Sequence, residues 1–334
     1  MENMHPKSKT GFRIGIVNPL TLVGNEITTI LRDRAFPHAK IVLLDSVGNV
    51  GAVTDVGDEP AIVTAVSDDE LEDLDVVFFC GPPAGNREWI ERHTEDDFIA
   101  IDLSQPTSTE DGKLAIAGVN LEDVGEGDEL LVSPHPIAIP IALILRQIET
   151  VAPIEICTAT VVQPASEYGQ EGVEELAQQT ISVLNLHTVP KSIFDRQLAF
   201  NLYPALEHRE PFIVSQVRSL IDPRTRLALL VTQGTIFHGH TFSLFVKTRE
   251  EVDVATIVDA LGRNPALALP EGDQQFGTID AAGKDEVLIA SVRRDEAIPG
   301  GFWVWAVCDN LRRSSALNAV LVAEKVLFAT SAPN

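Results

Sequence analysis

The sequence predicts an α/β protein of two domains, a parallel α/β domain followed by an α+β domain with a mixed, largely antiparallel sheet. The chain has 334 residues, which at roughly 150 residues per domain suggests two domains. Up to about residue 150, short continuous apolar runs alternate with helical periodicity, which is typical of a parallel sheet covered on both faces. Beyond that point the strand-like runs become longer, with helical patterns between them, which is typical of an α+β domain.

The elements of the first domain follow from the spacing of its apolar residues. Buried strands are predicted over residues 12–17, 41–44, 76–80 and 98–103. Helices are predicted over residues 22–31 and 86–93. The acidic segment 68–75 indicates a solvated helix rather than a binding tail.

The second domain is predicted from longer strands and from the helices between them. The strands should cover residues 154–162, 226–232, 240–248, 287–293 and 302–308. Helical periodicity indicates helices over residues 173–184 and 252–261. The last segment, 310–328, carries an apolar stripe and predicts a helix that returns to pack on the first domain.

Charge and cysteine content exclude several classes of protein. The chain carries 25 Lys+Arg against 49 Asp+Glu, a net charge of −24. Nucleic acid and anionic membranes are not expected as partners, because an acidic surface repels both. The three cysteines, Cys80, Cys157 and Cys308, lie in apolar strand runs and predict buried structural thiols rather than a disulfide framework. The reducing cytoplasm is therefore the expected location.

No segment predicts a signal peptide or a membrane anchor. The first ten residues are polar and carry Lys7 and Lys9, without an apolar segment behind them. The longest apolar run, residues 137–145, is interrupted by Pro140 and is much shorter than the roughly 20 residues of a membrane span. We therefore expect a soluble protein.

The turn between the first strand and the first helix raises the question of dinucleotide binding. A glycine-rich turn lets the backbone approach the pyrophosphate at the helix N-terminus, but residues 18–24 (NPLTLVG) contain only Gly24. Asn18 tolerates a left-handed conformation, whereas Pro19 removes an N–H donor. Most of the glycines and backbone donors with which such a turn binds a pyrophosphate are therefore missing.

Asp45 ends the second predicted strand, where an acidic residue can bind the ribose 2′-OH of NAD. It is equally compatible with a loop role. No Arg follows it in residues 46–53 to offset its charge. Any bound dinucleotide should therefore be NAD rather than NADP, because Asp45 would repel a 2′-phosphate.

His238 and His240 are two residues apart in a predicted strand and should share one face of it. With His135 as a third ligand they would form a metal site. The ordinary alternative is that they are surface or hydrogen-bonded histidines without a metal.

The most specific motifs lie near the C-terminus: WAVCDNL at 305–311, ALNAV at 316–320 and then Ala323 and Glu324. Further elements are LAFN at 198–201 with Pro204, Gly239 before His240, and Ser133 before Pro134. Together these residues resemble the aspartate-semialdehyde dehydrogenase family over nearly the whole chain. The resemblance implies a Rossmann-like nucleotide-binding domain, residues 11–135 and 311–330, and a substrate and dimerisation domain, residues 136–310.

The chemistry of that family needs a cysteine nucleophile at a helix N-terminus and a histidine acid/base nearby. It forms a thioester from the aldehyde, passes hydride to NADP and lets phosphate attack. The matching segment here is SPHPIA at 133–138, in which Pro136 occupies the cysteine position and His135 the preceding asparagine position. Proline suits the first turn of a helix. The resemblance therefore implies that the helix start is retained at this position while the nucleophile is lost.

The resemblance also implies changes at the other catalytic positions. It aligns the active-site glutamine of the family with Thr160, its Ser-Gly-Ala-Gly stretch with residues 163–166, and its substrate-binding arginine with Gln233. Its phosphate-binding arginine has no counterpart in residues 104–109 (SQPTST). Of the catalytic set only His240 remains, and Asn310 matches a position that the family uses near the cofactor.

Two functions follow from these observations. The first is a non-catalytic paralogue that acts as a binding, regulatory or assembly module and can take a small-molecule ligand. The second is an enzyme, either an NAD(P)-dependent oxidoreductase acting on an aldehyde or related substrate, or a metal-dependent activity based on His135, His238 and His240. The joint loss of nucleophile, arginines and glycine turn favours the first.

A homodimer is expected in either case. The resemblance implies dimerisation through residues 150–308. The long apolar strands there support it independently, because monomers seldom expose large apolar patches and two-fold packing would cover one.

Overall fold

The computed structural model describes residues 11–45, 48–56, 59–92, 98–104, 112–125, 127–205 and 207–329. The chain divides into two compact units. The first unit consists of Met1–Lys113, Val124–Ser133 and Ala319–Asn334, and the second of Leu114–Asp123 and Pro134–Asn318. Residues 114–123, 134–135 and 311–318 thus group with the second unit, whereas the predicted boundaries place them in the first domain.

The N-terminal part of the chain alternates strands and helices as the apolar pattern predicts. Its elements are β1 (Phe12–Val17), α1 (Leu22–Asp33), β2 (His38–Asp45), β3 (Val53–Val56), β4 (Glu59–Ile62), β5 (Thr64–Ala65), α2 (Asp68–Leu71), β6 (Val76–Phe79), α3 (Pro83–Arg92), β7 (Ile99–Asp102), β8 (Lys113–Leu114) and β9 (Leu130–Val132). The first sheet has the strand order β5-β2-β1-β6-β7-β9-β8.

Every pairing from β5 to β9 in this sheet is parallel, which confirms the predicted parallel α/β domain. All described residues of β6 and β9 are buried. Strands covered on both faces need apolar side chains at successive positions, which explains the continuous apolar runs. β3 and β4 form a separate antiparallel pair.

The remainder of the chain supplies longer strands. Its elements are α4 (Ala138–Glu149), β10 (Ile154–Gln163), α5 (Gly169–Leu184), β11 (Leu202–Pro204), α6 (Glu210–Arg218), β12 (Arg226–Gly234), β13 (His240–Thr248), α7 (Val254–Leu261), β14 (Leu267–Ala268), β15 (Val287–Arg294), β16 (Gly301–Cys308) and α8 (Leu317–Ala329).

The second sheet has the order β11-β12-β10-β13-β16-β15-β14. The pairs β10–β12 and β14–β15 are parallel and the other four are antiparallel. This is the mixed, largely antiparallel sheet that was predicted. One face packs against α4, α6 and α7 and forms the core of the second unit.

The opposite face of this sheet carries a smaller cluster, in which Trp305 packs against Ala281, Leu288 and Val307. The register aligns Leu230, Thr160, Ser243 and Trp305 in one row across four strands, and it aligns Ala228, Thr158, Phe245 and Trp303 in the next. Leu230 is 50% exposed and Trp303 is 40% exposed. We call this surface, formed by the two rows, the outer sheet face.

Helix α4 is built from the longest apolar run of the sequence. Residues 137–145 are all buried, although Pro140 lies among them. Pro140 falls in the first turn of α4, where its missing N–H would have no intrahelical partner. A helix that is apolar on all sides belongs inside a protein, and α4 accordingly lies at the centre of the core. No helix among the described ranges combines the length and apolar character needed to cross a membrane.

Two predicted helices differ from the structure. The acidic segment 68–75 is helical only over α2, because Asp73 adopts φ 64° and Leu71 and Leu74 turn into the core. The C-terminal segment begins with a π-helix, Arg312–Ala316, before α8. The pattern also missed α6.

Helix α8 packs within the first unit, as predicted for the C-terminal segment. Glu324 of α8 pairs with Arg34 at 2.8 Å, and the ring of Phe328 lies 5.7 Å from that of Phe12. Residue 93, the predicted end of the helix 86–93, lies outside the described residues.

Candidate functional site

The turn between β1 and α1 is packed against its own helix. Asn18 adopts the left-handed conformation, φ 59°, that the sequence allowed. Thr21 caps α1 by accepting the N–H of Gly24 at 3.1 Å. A Cβ at Gly24 would stand 2.6 Å from the Asn18 carbonyl oxygen and 2.7 Å from Pro19 Cα. The single glycine of the turn is therefore required by the turn itself.

Asp45 lies at the end of β2, where the sequence placed it, and is buried. Its Oδ1 accepts the N–H groups of Gly48 at 2.6 Å and Asn49 at 3.0 Å, and its Oδ2 accepts Nδ2 of Asn49 at 3.0 Å. The carboxylate thus holds its own loop, which is the alternative role considered for it. Residues 46–47 of this loop lie outside the described part of the chain.

The segment before α4 holds His135 in a single orientation. The backbone N–H of His135 donates to Oε1 of Gln216 at 2.9 Å, and its Nδ1 accepts the N–H of Ile137 at 3.1 Å. Because Nδ1 is an acceptor, the neutral ring carries its proton on Nε2. Burial, with the nearby His240 and Arg209, lowers the pKa of His135 well below its usual value. Pro136 stands between these fixed residues, at the position that the resemblance assigns to the nucleophile.

His240 begins β13 and is completely buried. Its Nε2 lies 3.3 Å from Oε1 of Glu167, without the alignment of a hydrogen bond, and Nδ1 has no hydrogen-bond partner among the described residues. Burial lowers the pKa of His240 to about 3 and raises that of Glu167 to about 7. Both groups are therefore biased towards their neutral forms by desolvation.

Asn310 fixes the backbone beside this histidine. Its Oδ1 accepts the N–H of Gly239 at 2.8 Å, and its Nδ2 donates to Ser166 Oγ at 3.0 Å and to Glu167 Oε1 at 3.2 Å. Gly239 adopts φ 88°, which favours glycine. Asn310 thus links the segment before β13 to the segment before α5, and its described partners all belong to the second unit.

A pocket opens beside this network, and we call it the Glu167 pocket. Its lining is His135, Gln163, Glu167, Tyr168, Ala205, Glu207, His208, Arg209, Glu210, Ile213 and Val231. Arg209 forms an ion pair with Glu207, and its side chain is 57% exposed. The pocket therefore combines one guanidinium with three carboxyl groups and a buried neutral histidine.

Several pocket residues were missed by sequence reasoning, most clearly Glu167, Tyr168 and Arg209. The sequence predicted no arginine at the anion-binding positions of the family, but the structure brings Arg209 to the pocket. Arg209 lies directly before α6, a helix that the sequence pattern did not predict. Glu167 lies in a short 3₁₀ turn, Ala165–Tyr168, whose sequence has no distinctive pattern.

The structure places Thr160, the position that the resemblance assigns to the active-site glutamine, apart from the pocket residue Gln163. Thr160 is exposed on the outer sheet face, whereas Gln163, three residues later, lines the Glu167 pocket. Gln233 is buried, and its Oε1 accepts a hydrogen bond from Nε2 of Gln163 at 2.8 Å.

The predicted histidine pair is not formed. His238 precedes β13 and is exposed, while His240 is buried, because the chain turns at Gly239 between them. No three His, Cys, Asp or Glu side chains within the described ranges are grouped as a metal site would require. The expectation that His238 and His240 share a strand face was therefore wrong.

The three cysteines lie inside the protein. Cys80, Cys157 and Cys308 are free and buried, as predicted. Burial raises the thiol pKa of Cys157 and Cys308 to about 12 and also raises that of Cys80. A thiol held in its protonated form is a poor nucleophile. Residues 105–109, where no phosphate-binding arginine was found in the sequence, lie outside the described residues.

Comparison with known proteins identifies relatives over both units. Residues 13–134 match the semialdehyde dehydrogenase NAD binding domain, and residues 147–313 match the semialdehyde dehydrogenase dimerisation domain. The chain is 25% identical over 330 residues to an aspartate-semialdehyde dehydrogenase of Rickettsia bellii, covering 95% of this chain and 98% of the relative. It is 30% identical over 332 residues to the USG-1 protein homolog of Azotobacter vinelandii, covering 94% and 97%.

A solved structure shares the fold. The aspartate semialdehyde dehydrogenase II of Vibrio cholerae, in complex with ASA, superimposes with a TM-score of 0.91 at 26% identity. The match covers 95% of this chain and 98% of that one.

Proposed function

The chain belongs to the semialdehyde dehydrogenase family, and from this premise we propose that it is a non-catalytic, homodimeric member. In this proposal it has lost the phosphate-dependent oxidation of an aldehyde and acts as a binding or regulatory module. Its ligand is a small molecule held in the Glu167 pocket. Relatives named aspartate-semialdehyde dehydrogenase make that reaction the appropriate reference.

One observation carries the proposal: the residue before α4 that should supply the nucleophile is Pro136, held between His135 and Ile137 by hydrogen bonds. A proline side chain has no atom that can attack a carbonyl. The three cysteines do not replace it, because all are buried as protonated thiols. Loss of a covalent nucleophile usually costs several orders of magnitude in rate.

The composition of the Glu167 pocket supports a particular class of ligand. Arg209 is already paired with Glu207, and Glu210 adds a further negative charge. A free phosphate ion would meet these carboxylates without a second guanidinium to hold it. We therefore propose a small ligand with an ammonium group rather than an inorganic anion.

The outer sheet face supports the homodimer. Leu230 and Trp303 are about half exposed on the outer sheet face. Residues 147–313, which include this face, match the dimerisation domain of the family. Two-fold packing of the same face from each subunit would bury it and close the assembly.

For a bound dinucleotide we propose NAD rather than NADP. The N-terminal domain matches the NAD binding domain of the family, and the buried carboxylate of Asp45 would repel a 2′-phosphate. We also propose a reducing, cytoplasmic location, which the three free buried thiols support.

The alternative is an enzyme, either an NAD(P)-dependent oxidoreductase or a metal-dependent activity using His135, His238 and His240. The contact between His240 and Glu167 favours retained proton-transfer chemistry. The exposed position of His238, apart from the buried His240, opposes the metal-dependent version.

The proposal is tested by a spectrophotometric assay of the purified chain with aspartate semialdehyde, phosphate and either nicotinamide cofactor. An active aspartate-semialdehyde dehydrogenase serves as positive control. We expect no cofactor reduction above background. Reduction that requires both substrate and phosphate would overturn the non-catalytic proposal.

The ligand class is tested separately by thermal shift, because a ligand selective for the native state raises the melting temperature. Small amines and amino acids should raise it more than inorganic phosphate does. Arg209→Ala and Glu210→Gln would show which charge the ligand contacts. A larger shift with phosphate than with every amine would contradict the proposed class.

A further inference from the structure

The first sheet has a defined place for a dinucleotide. The chain runs from β1 to β2 on one side and returns to β6 on the other side of β1, so the strand order reverses between β1 and β6. In open parallel sheets, ligands bind outside the carboxyl ends of the strands at this switch point. The residues that follow β1 and β6, beginning at Asn18 and Cys80, therefore border that crevice.

Side chains of the protein itself meet at this point. Nδ2 of Asn18 donates to the Cys80 carbonyl oxygen at 2.7 Å and to Oδ1 of Asn86 at 3.1 Å. Nδ2 of Asn86 donates to the same carbonyl oxygen at 2.6 Å. Asn18 and Asn86 are 1% and 0% exposed. We call these three groups the amide clasp.

The surrounding backbone is shaped to the clasp. Asn18 keeps its left-handed φ of 59°, and Gly81 adopts φ 82° beside it. A Cβ at Gly81 would stand 2.9 Å from Nδ2 of Asn18. The backbone of the second turn thus approaches closely to an asparagine side chain, in the region where a dinucleotide-binding turn would approach a phosphate.

Pyrophosphate binding needs donors that point at the ligand and backbone that lies close to it. In the clasp, both amide groups donate to the Cys80 carbonyl oxygen instead. A phosphate in the crevice would have to displace two buried side chains and leave that carbonyl oxygen without donors, which is costly. The residues present therefore do not fit the cofactor that the family implies.

We infer that the amide clasp occupies the dinucleotide crevice of the first unit, so that this chain binds no nicotinamide dinucleotide there and uses the clasp to join the two turns. The inference goes beyond the loss of the nucleophile and can fail independently of it. A chain that binds NAD but oxidises no aldehyde would overturn the clasp and leave the non-catalytic proposal intact.

The first test is NMR spectroscopy of the full chain with NAD and NADP at millimolar concentration. We expect the side-chain amide signals of Asn18 and Asn86 to exchange slowly with solvent and to keep their positions on addition of either dinucleotide. Saturable shifts in residues 18–24 or 80–86 would overturn the inference. Rapid exchange of both side-chain amides would also overturn it.

The second test measures what the clasp contributes to stability. Asn86→Ala removes one donor and one acceptor of the clasp while favouring the helical state of α3. We expect its melting temperature to fall by roughly 2–8 °C, as for the loss of buried hydrogen bonds in a protein of this size. The matched control is Asn25→Ala, an exposed asparagine of α1 outside the clasp. Equal melting temperatures for the two variants would overturn the inference.

Discussion

The two units treat the polar groups at the ends of their strands differently. In the first, Asp45 caps its own loop, and Asn18 and Asn86 both donate to the Cys80 carbonyl oxygen. In the second, His240 is buried without a hydrogen bond to either ring nitrogen among the described residues, and Glu167 lies beside it in the pocket wall. Polar groups thus satisfy one another in the first unit and remain incompletely satisfied in the second.

This difference indicates where the molecule can respond to its surroundings. Buried polar groups that already hydrogen-bond one another gain little free energy when a ligand binds. Buried polar groups without partners gain a hydrogen bond when a ligand or proton arrives, which offsets the free-energy cost of their desolvation. We therefore expect the first unit to act as a scaffold. The second unit should respond to ligands, to pH and to assembly.

The largest expected effect concerns chemistry in the second unit. Pro136→Cys places a thiol at the start of α4, yet we expect its rate of phosphate-dependent aldehyde oxidation to stay below roughly 10⁻³ of that of an active relative. The reason is that Gln233 supplies no guanidinium for the substrate and Arg209 is paired with Glu207. The measurement is cofactor reduction with aspartate semialdehyde and phosphate.

Two controls accompany that variant. A thiol-reactive probe should label Pro136→Cys but not the wild type, whose three cysteines are buried. A labelled variant that reached a rate near that of an active relative would show that only the nucleophile was lost, and the contrast between the units would then be smaller than we infer.

The next effect concerns assembly through the outer sheet face. The wild type should sediment as a dimer of the 36.2 kDa chain, whereas Leu230→Glu should give mainly monomer at micromolar concentration. A charge buried in an apolar interface without a partner is strongly unfavourable. The matched control is Ile62→Glu in β4, an exposed apolar residue of the first unit, 64% exposed.

Sedimentation velocity distinguishes these outcomes. A monomeric wild type would remove the assembly argument. Monomer formation by Ile62→Glu and not by Leu230→Glu would place the interface on the first unit and reverse the comparison.

A smaller effect is expected on the pH dependence of stability. Burial raises the pKa of Glu167 from 4.5 to about 7. Between pH 4.5 and pH 7 the folded protein therefore holds a proton that the unfolded chain has released. Stability supplied by the neutral carboxyl is therefore present below pH 4.5 and is lost as the pH rises through 7. Relative to Glu167→Gln, the free energy of unfolding of the wild type should fall by up to about 3 kcal/mol as the pH rises across this range.

The comparison with Glu167→Gln is needed because His240 acts in the opposite direction. Its pKa, lowered to about 3, makes stability rise with pH from about 3 to 6.5, since the unfolded chain binds the additional proton there. Chemical denaturation at several pH values measures the difference between the two proteins. Glu174→Gln, on the exposed side of α5, is the control and should follow the wild-type profile.

The smallest effect concerns dinucleotide choice when the clasp is opened. In the double variant Asn18→Gly and Asn86→Ala, any binding of NAD should exceed that of NADP by roughly threefold to tenfold, about 1 kcal/mol. The negative charge of Asp45 is the reason. Calorimetry that gave tighter NADP binding would contradict the role assigned to Asp45.

Much of the fold could be predicted because its elements are recorded locally in the sequence. β1 and β13 have the predicted bounds, and β10 differs by one residue at its end, since alternation or continuity of apolar residues reports directly on burial. Apolar periodicity did not predict helix α6 or the early end of the acidic helix. The end of α2 depends on Leu71 and Leu74 entering the core, which periodicity within the segment does not show.

The candidate site was predicted in part for the same reason. His135, Pro136 and His240 were found through motifs, because each stands in a contiguous stretch that resembles the family. Gln163 was not found as a pocket residue, because its approach to the Glu167 pocket depends on elements that the strand pattern around it does not record. Glu167 was not found, since its importance comes from a contact with a residue 73 positions away.

The sequence by itself determined the two-domain fold class, the acidic surface and the absence of a nucleophile at residue 136, because each depends on composition, local periodicity or one residue's chemistry. Only the tertiary structure decided that Asn18 meets Cys80, 62 residues away, and that Asn310 meets Ser166, 144 residues away. Hydrogen bonding and desolvation depend on distance through space, and apolar periodicity carries no information about them. The same asparagine can bind a ligand or bind its own chain, and the partner that folding brings to it makes that choice.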